Sequence, residues 1–417
     1  MYNLKELAES VIKKPGVFLD ETKLYPEYVP ENLPHREEQF KQLVKIFKHV
    51  VVSPGSSSAR VVLYGSLGTG KTATAISFGK VITRLASEKG IKLRYAHVNC
   101  ASTRSALSVL REVKNQLSLS IPDRGLGLSE FAQALLKEMD REDLYAIVTL
   151  DEFDSVLTSF KGEDKYALIR FYDMFHSDIL RLNFIYISRM KLNDVLRILD
   201  EISGSYMMRN TILFNPYKSR ELFDILKYRA DEAFYPGVVD DYVFEYIANL
   251  IGYDTGGDGN ARKALAILYA AGKLAEKEIE EGKVVRVLVD HVRAVSASED
   301  LGLIHVLDSL NYLSTHQLLL LKAIALGLKE TGESYVNIGY VEEIYRRLCF
   351  NLGIEPRRHT QIYYYVTELA NRGIVMVKKA LKGRRGRSSY VSFGAAPIDS
   401  LLKVIERTIA MRREIGE

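Results

Sequence analysis

Arg60-Val61-Val62-Leu63-Tyr64, followed by Gly65-Ser66-Leu67-Gly68-Thr69-Gly70-Lys71-Thr72, is the stretch on which the reading of this chain turns. The first five residues make a short apolar strand. The next eight form a full phosphate-loop pattern, with glycines, lysine and hydroxyl in register. From Ala73 to Ala86 (ATAISFGKVITRLA) apolar residues recur at helical spacing, so the loop joins a strand to a helix, the context the pattern needs. The glycines let the backbone curl until its N–H groups converge on phosphates at the positive end of the helix dipole. Lys71 then reaches the β- and γ-phosphates and the Thr72 hydroxyl ligates Mg²⁺. Gly65 to Ala73 as a whole is the expected cradle for ATP or ADP.

A nucleotide site also needs an acid for the metal. Tyr145–Leu150 (YAIVTL) reads as a buried strand and ends in Asp151-Glu152-Phe153-Asp154. An Asp at the C-terminal end of a central parallel strand sits beside the phosphate loop. Asp151 is therefore the metal-side carboxylate, and Glu152 orients or deprotonates the attacking water. Acids also end strands in turns for purely structural reasons; Asp154 is assigned to a turn or a helix cap. Lys92–Asn99, Leu182–Ser188 and Thr211–Phe214 read as further strands, and Arg104–Leu117 and Ser129–Met139 as helices. Such alternation predicts an α/β fold with a parallel sheet wrapped on both faces. From Ser219 to about Ala297 amphipathic helices take over: Ser219–Phe234, Asp240–Ile251, Asn260–Glu281 and Leu288–Ala297, broken by Gly252–Gly259. An α/β nucleotide domain with a helical lid is the AAA+ arrangement.

Composition sets the outer bounds. The 417 residues suit two or three domains, and 47% hydrophobic with 26% charged residues provides an ordinary core and excludes wholesale disorder. The first residues, MYNLKELAESVIKK, carry acids and lack an apolar core, so no secretory signal is expected. The most apolar stretch, Leu318–Leu328, is short and interrupted by Lys322, which excludes a membrane span there. Cys100 and Cys349, the two cysteines, stand far apart, which excludes a disulfide scaffold or a cysteine zinc site and points to the cytosol. The net charge of +4 is unevenly placed. Residues 304–417 hold 17 Lys+Arg against 11 Asp+Glu, leaving 40 against 42 in the rest, so all the positive excess lies at the C-terminal end. A neutral body with a polyanion-binding end is the implied organisation.

That basic end reads as three helices and a hairpin. Ser314–Leu328 is the first helix with Ser314 as N-cap, Val341–Leu352 the second, and Pro356-Arg357-Arg358-His359-Thr360 opens a third running to about Asn371. Ile374–Ala380 and Ser389–Phe393 alternate as strands around Leu381–Arg387. Three helices and a hairpin predict a winged helix-turn-helix. Arg357, Arg358, His359, Thr360 and Gln361 occupy the start of the recognition helix, where base edges are read. Arg372 to Arg387 contain seven basic residues and no acid, and Lys382, Arg384, Arg385 and Arg387 on the glycine-punctuated hairpin tip can follow a phosphate backbone. Tyr363, Tyr364 and Tyr365 divide between core and phosphate contact.

With these motifs in place, the chain resembles archaeal initiators of the origin-recognition-complex and cell-division-control type over roughly residues 20–410. Tyr28-Val29-Pro30-Glu31-Asn32-Leu33-Pro34-His35-Arg36-Glu37 is similar to the family's adenine-side segment, which assigns Tyr28, Val29, Pro34, His35 and Arg36 to nucleotide contact. Phe214-Asn215-Pro216-Tyr217 matches the lid entrance and places Tyr217 there too. Gly257-Asp258-Gly259-Asn260-Ala261-Arg262-Lys263-Ala264-Leu265 matches a second signature, in which Arg262 is the lid arginine that reaches the γ-phosphate. The resemblance also implies a helical insertion before Asp151 that touches DNA; Ser118–Gly127, with Arg124, falls there. Two departures stand out. Where the family places an Asn after the fourth strand, this chain has Ser188-Arg189-Met190, and an Asp-Pro-Arg stretch is replaced by Asp200-Glu201-Ile202, leaving Arg209 as the nearby candidate for an arginine offered to a neighbouring subunit. Both departures imply slow hydrolysis, with ATP and ADP acting mainly as conformational states.

The expected organisation is an AAA+ domain at residues 1–217, a lid at 218–303 and a winged helix at 304–417. The expected function is an ATP-dependent replication initiator that binds double-stranded origin DNA, located in the cytoplasm on the nucleoid. Recruitment of a replicative helicase and pairing with paralogous initiators come from the resemblance alone. A nucleotide-switched transcription regulator and a clamp-loader-like ATPase are the rival readings.

Overall fold

The computed structural model describes residues 16–160, 162–280, 286–297, 310, 313–333, 335–371, 374–379, 389–393, 398, 401–402, 404–406 and 408–409. The chain divides into two compact units, Phe18–Leu265 and one formed chiefly from Ala266 onward.

In the first unit, the chain order is α1 (Glu37–Val52), β1 (Arg60–Tyr64), α2 (Lys71–Glu88), β2 (Leu93–Asn99), α3 (Ala106–Gln116), α4 (Leu128–Arg141) and β3 (Tyr145–Asp151). Five short helices follow around the fourth strand: α5 (Asp154–Ser159), α6 (Glu163–Ile169), α7 (Phe171–Met174), β4 (Leu182–Ser188), α8 (Leu192–Ile198) and α9 (Glu201–Met208). After β5 (Thr211–Leu213) come α10 (Ser219–Ala233), α11 (Asp241–Ile251) and the start of α12 (Ala261–Glu280). The five strands pair in parallel in the order β2-β3-β4-β1-β5. Side-chain alternation divides them between two cores. Val61, Leu63, Ile147, Ile185 and Ile187 pack with Phe47 of α1 and Phe78 of α2. Val62, Val148, Leu150, Phe184 and Tyr186 pack on the opposite face with Val109 of α3 and Phe131 and Leu135 of α4. Strands apolar on both faces are what a parallel sheet between helical layers requires.

The strand order puts β1 and β4 side by side at the centre, with β3 next to β4. The C-terminal ends of β1, β3 and β4 therefore converge, and the loop after Tyr64, the acids after Leu150 and Ser188-Arg189 open at one edge, where α/β sheets bind ligands.

In the second unit, α13 (Val289–Ala297) precedes α14 (Thr315–Thr331), β6 (Val336–Asn337), α15 (Ile338–Asn351), α16 (His359–Asn371), β7 (Met376–Lys379) and β8 (Ser389–Ser392). Ser314 caps α14: its hydroxyl accepts from the Gln317 amide while Gln317 Oε1 accepts from Ser314 N. The hairpin is the antiparallel pair β7–β8. The short β6, which the sequence does not signal because two residues carry no alternation, adds to β8 and makes a three-stranded sheet. Leu318, Leu321, Tyr345, Ile362, Val366 and Val391 fill its core. Among the described residues no helix is long and apolar enough to cross a membrane.

Candidate nucleotide site and nucleic-acid interface

The phosphate loop is held open by three glycines in the left-handed region, Gly65 (φ 146°), Gly68 (φ 72°) and Gly70 (φ 86°). Gly68 is fixed twice over. Besides its φ, a Cβ there would lie 1.7 Å from Asn260 Oδ1, so the residue before α12 sits directly on the loop. The Ala261 amide donates to Gly68 O at 3.1 Å, which ties the start of α12 to the loop. Lys71 is buried and folds back on its own loop, Nζ donating to Gly65 O at 2.8 Å and Ser66 O at 2.6 Å. Burial pushes its ammonium down to about 8, against the pull of Asp151; Arg189 and Arg262 lower it further. Neutral carbonyls satisfy the hydrogen bonds of this ammonium, so its charge suits an anionic ligand.

The Thr72 hydroxyl donates to Asp151 Oδ2 at 2.7 Å, and the Glu152 amide to Asp151 Oδ1 at 2.7 Å. Burial would raise the Asp151 carboxyl; the His97 hydrogen bond and charge, with the Thr72 and Glu152 bonds, outweigh it and hold the carboxyl below its usual range. Glu152 has φ 50°, a strained conformation for a side chain of its size, and its Oε2 is buried with no hydrogen-bond partner. These residues fit a magnesium nucleotide. Thr72 and Asp151 are oxygen ligands already in contact, the loop presents a buried cation whose hydrogen bonds go to neutral carbonyls, and the neighbouring Glu152 keeps a buried oxygen without a hydrogen-bond partner. Mg²⁺ takes only one or two protein oxygens and fills its octahedron with phosphate and water, so this sparse set suffices.

Arg189 is half-buried rather than on open surface, 3.8 Å from Glu152 Oε1 and 3.9 Å from Asp154 Oδ2. Asp154 is no cap for its own helix; it opens α5 and accepts from the Ser188 hydroxyl and, at 2.8 Å, from the Arg189 amide, pinning the end of β4. Arg262 lies in the first turn of α12, near enough for its charge to act on Lys71.

The N-terminal segment is a strap along α10, and only its last residue reaches the loop. Tyr28 donates to Glu232 Oε2 at 3.2 Å and His35 Nε2 pairs with Asp224 at 2.9 Å, both on α10. Val29 and Pro34 are half-buried between them. Arg36, 4% exposed, donates from Nε to Thr69 O at 2.8 Å and from an Nη to Asn215 O at 2.9 Å, with its guanidinium 3.8 Å above the buried Tyr217 ring. Arg36 and Tyr217 thus form the wall behind Gly70.

In the second unit Arg357, Arg358, His359, Thr360 and Gln361 form one exposed run at the start of α16. His359 Nδ1 pairs with Glu342 Oε2 of α15 at 2.6 Å, and Arg346 donates to Glu342 Oε1 at 2.6 Å. Tyr365 is buried in the core, while Tyr363 and Tyr364 remain exposed. Lys382, Arg384, Arg385 and Arg387 lie outside the described residues. Ser118–Gly127 contains no helix; it is the loop between α3 and α4, with Arg124 exposed and Lys114 paired to Asp123 at 2.7 Å. Sequence reasoning missed Asn260 and His97 as members of the site. The first sits inside a signature recognised by its arginine, and the second carries no local signal.

Comparison with known proteins agrees with this geometry. The family described as "Cdc6 AAA+ ATPase-type lid domain" matches residues 223–297, and that described as "CDC6, C terminal winged helix domain" matches residues 308–402. The ORC1-type DNA replication protein 2 of Saccharolobus solfataricus is 42% identical, over 95% of this chain and 94% of that protein. The Aeropyrum pernix ORC1 protein, solved in complex with DNA, superposes with a TM-score of 0.73 at 28% identity, covering 96% of this chain and 100% of that one. The Aeropyrum pernix ORC2 protein, solved in ADPNP–ADP complexes, gives 0.63 at 26% identity over 96% and 100%. Two domain signatures, a relative alike from end to end and a shared AAA+ and winged-helix fold lead to one conclusion: the chain belongs to the archaeal ORC1-type family of DNA replication proteins, the Orc1/Cdc6 initiators.

Proposed function

We propose that the chain is a nucleotide-governed replication initiator that binds double-stranded origin DNA through its winged helix and helps recruit the replicative helicase. The observation that carries the reading is the exposed run Arg357–Gln361 at the start of α16, in a fold whose relative was solved with DNA bound. Two adjacent arginines just before the helix, which begins at His359, and two hydrogen-bonding side chains on its first turn suit a helix laid into the major groove. Basic residues of the hairpin connection, Lys382 to Arg387, add backbone contacts in this reading, and Arg124 a further one.

The nucleotide half rests on the site above and on a relative solved with ADPNP and ADP. Mg²⁺ bound with the nucleotide would supply charge neutralisation to its phosphates. Thr72 and Asp151 would hold it, Lys71 and Arg262 would meet the outer phosphates, and Arg36 with Tyr217 backs the cradle. Glu152 orients the attacking water, but Arg189 competes for its carboxylate, which supports slow turnover and a switch-like use of ATP and ADP. Duplex binding assayed against salt tests the DNA half: a steep fall in affinity as salt rises is expected, and affinity insensitive to salt would remove it.

A further inference from the structure

Behind the metal-side carboxylate lies a half-buried polar chain that the nucleotide reading does not use. In the β2–β3 register His97 stands opposite Thr149 and Asn99 opposite Asp151, so His97 reaches Asp151 along the diagonal. Its Nε2 is 3.2 Å from Asp151 Oδ2. Its Nδ1 is 3.1 Å from the Tyr95 hydroxyl, which lies 2.8 Å from Thr149 Oγ1. The Tyr95 ring is itself clamped: a Cβ on Gly79 of α2 would meet it at 2.4 Å.

The donors and acceptors close in one direction. The Tyr95 hydroxyl donates to Thr149 Oγ1 and so accepts from His97 Nδ1, while His97 Nε2 donates to the Asp151 carboxylate, which offers only acceptors. Asp151 Oδ2 then accepts from Thr72 and His97, and Oδ1 from the Glu152 amide. A carboxylate offers about four acceptor sites. Three are occupied, and the one remaining is on Oδ1. The Thr72 proton is held by Oδ2, which turns the hydroxyl lone pairs away from Asp151.

We propose that His97 is a positioning residue of the metal site, fixing Asp151 so that the free Oδ1 position and the Thr72 lone pairs face the cation. This rests on the magnesium–nucleotide reading above. His97 does not touch the nucleotide; it acts through Asp151, as second-layer partners of metal ligands do.

The test uses the full chain, with ADP affinity measured in EDTA and Mn²⁺ affinity of the protein–ADP complex measured by electron paramagnetic resonance. His97→Phe is expected to weaken Mn²⁺ binding about 10–100-fold while metal-free ADP affinity stays within about twofold. His97→Gln, whose amide can still donate to Oδ2, should recover most of the loss. Tyr95→Phe, which removes the hydroxyl partner of Nδ1, should show a smaller loss and carries the test if His97→Phe does not fold. Unchanged Mn²⁺ affinity in these variants, His97→Gln no better than His97→Phe, or ADP affinity falling equally in EDTA would each overturn the proposal. Wild-type protein that binds no ADP would instead overturn the nucleotide reading beneath it.

Discussion

The phosphate loop and the start of α16 both present positive charge, and they do so in opposite ways. Lys71 is 6% exposed, locked onto two carbonyls and pressed by Arg262 and Arg189. Arg357 and Arg358 stand in open solvent with Thr360 and Gln361 beside them. A buried cation costs free energy until its anion arrives, so it suits one ligand of fixed shape. Exposed cations cost little and act through counterion release along a polymer, so they suit a backbone of repeating phosphates. The difference fits the proposed division, with the small polyanion at one unit and the large one at the other.

The largest expected effect is at the buried cation. Lys71→Ala should weaken ADP and ATP binding on the order of 100-fold or more in equilibrium titrations, because nothing else in the loop supplies charge to the outer phosphates. Duplex binding of Lys71→Ala without nucleotide should match wild type; a parallel loss would erase the contrast.

Second comes the exposed pair. Replacing Arg357 and Arg358 together by alanine should reduce the log–log salt slope of duplex affinity by about 0.9 for each phosphate that is no longer neutralised, that is by about 1.8. Arg384→Ala with Arg385→Ala makes the corresponding test of the hairpin connection. If neither pair changes the slope, the charge at this end serves something other than a duplex.

The smallest effect is also the one that best separates the two kinds of cation. The Lys71 ammonium falls from 10.5 to about 8 in the fold. Below pH 8 it is charged in both folded and unfolded chains and carries the full desolvation cost. As pH climbs from 8 towards 10.5 the folded protein sheds the proton first, and that cost fades. Lys71→Met should therefore stabilise the nucleotide-free protein at pH 7 by roughly 1–3 kcal/mol, with the gain shrinking above pH 8 in denaturant melts. Arg357→Met, on open surface, should leave the melts within about 0.5 kcal/mol at either pH.

The two regions were not equally legible in the sequence. The loop from Gly65 to Thr72 is local, so its chemistry could be read residue by residue, and Leu182–Ser188 is observed as β4 at the expected bounds. The helices α5 to α9 are four to eight residues long, too short for a 3.6-residue period to emerge. What completes the site comes from far along the chain. Asn260 against Gly68, and His97 against Asp151, are set by strand register and lid docking, which leave no trace in spacing. The strap shows the same limit: the segment was recognisable as a unit, but that Tyr28 and His35 engage α10 while Arg36 alone bonds to the loop is a matter of chain path. At the basic end, the run of positive charge was legible in composition, but it could not show that Glu342 holds His359.

The most direct measurement is a map of the chromosomal sites this protein occupies in the cells that make it, set against the positions where replication starts. The account predicts that occupied sites coincide with replication start points, and that the Arg357→Ala, Arg358→Ala protein loses them. Occupancy scattered over promoters with no relation to replication starts would contradict it.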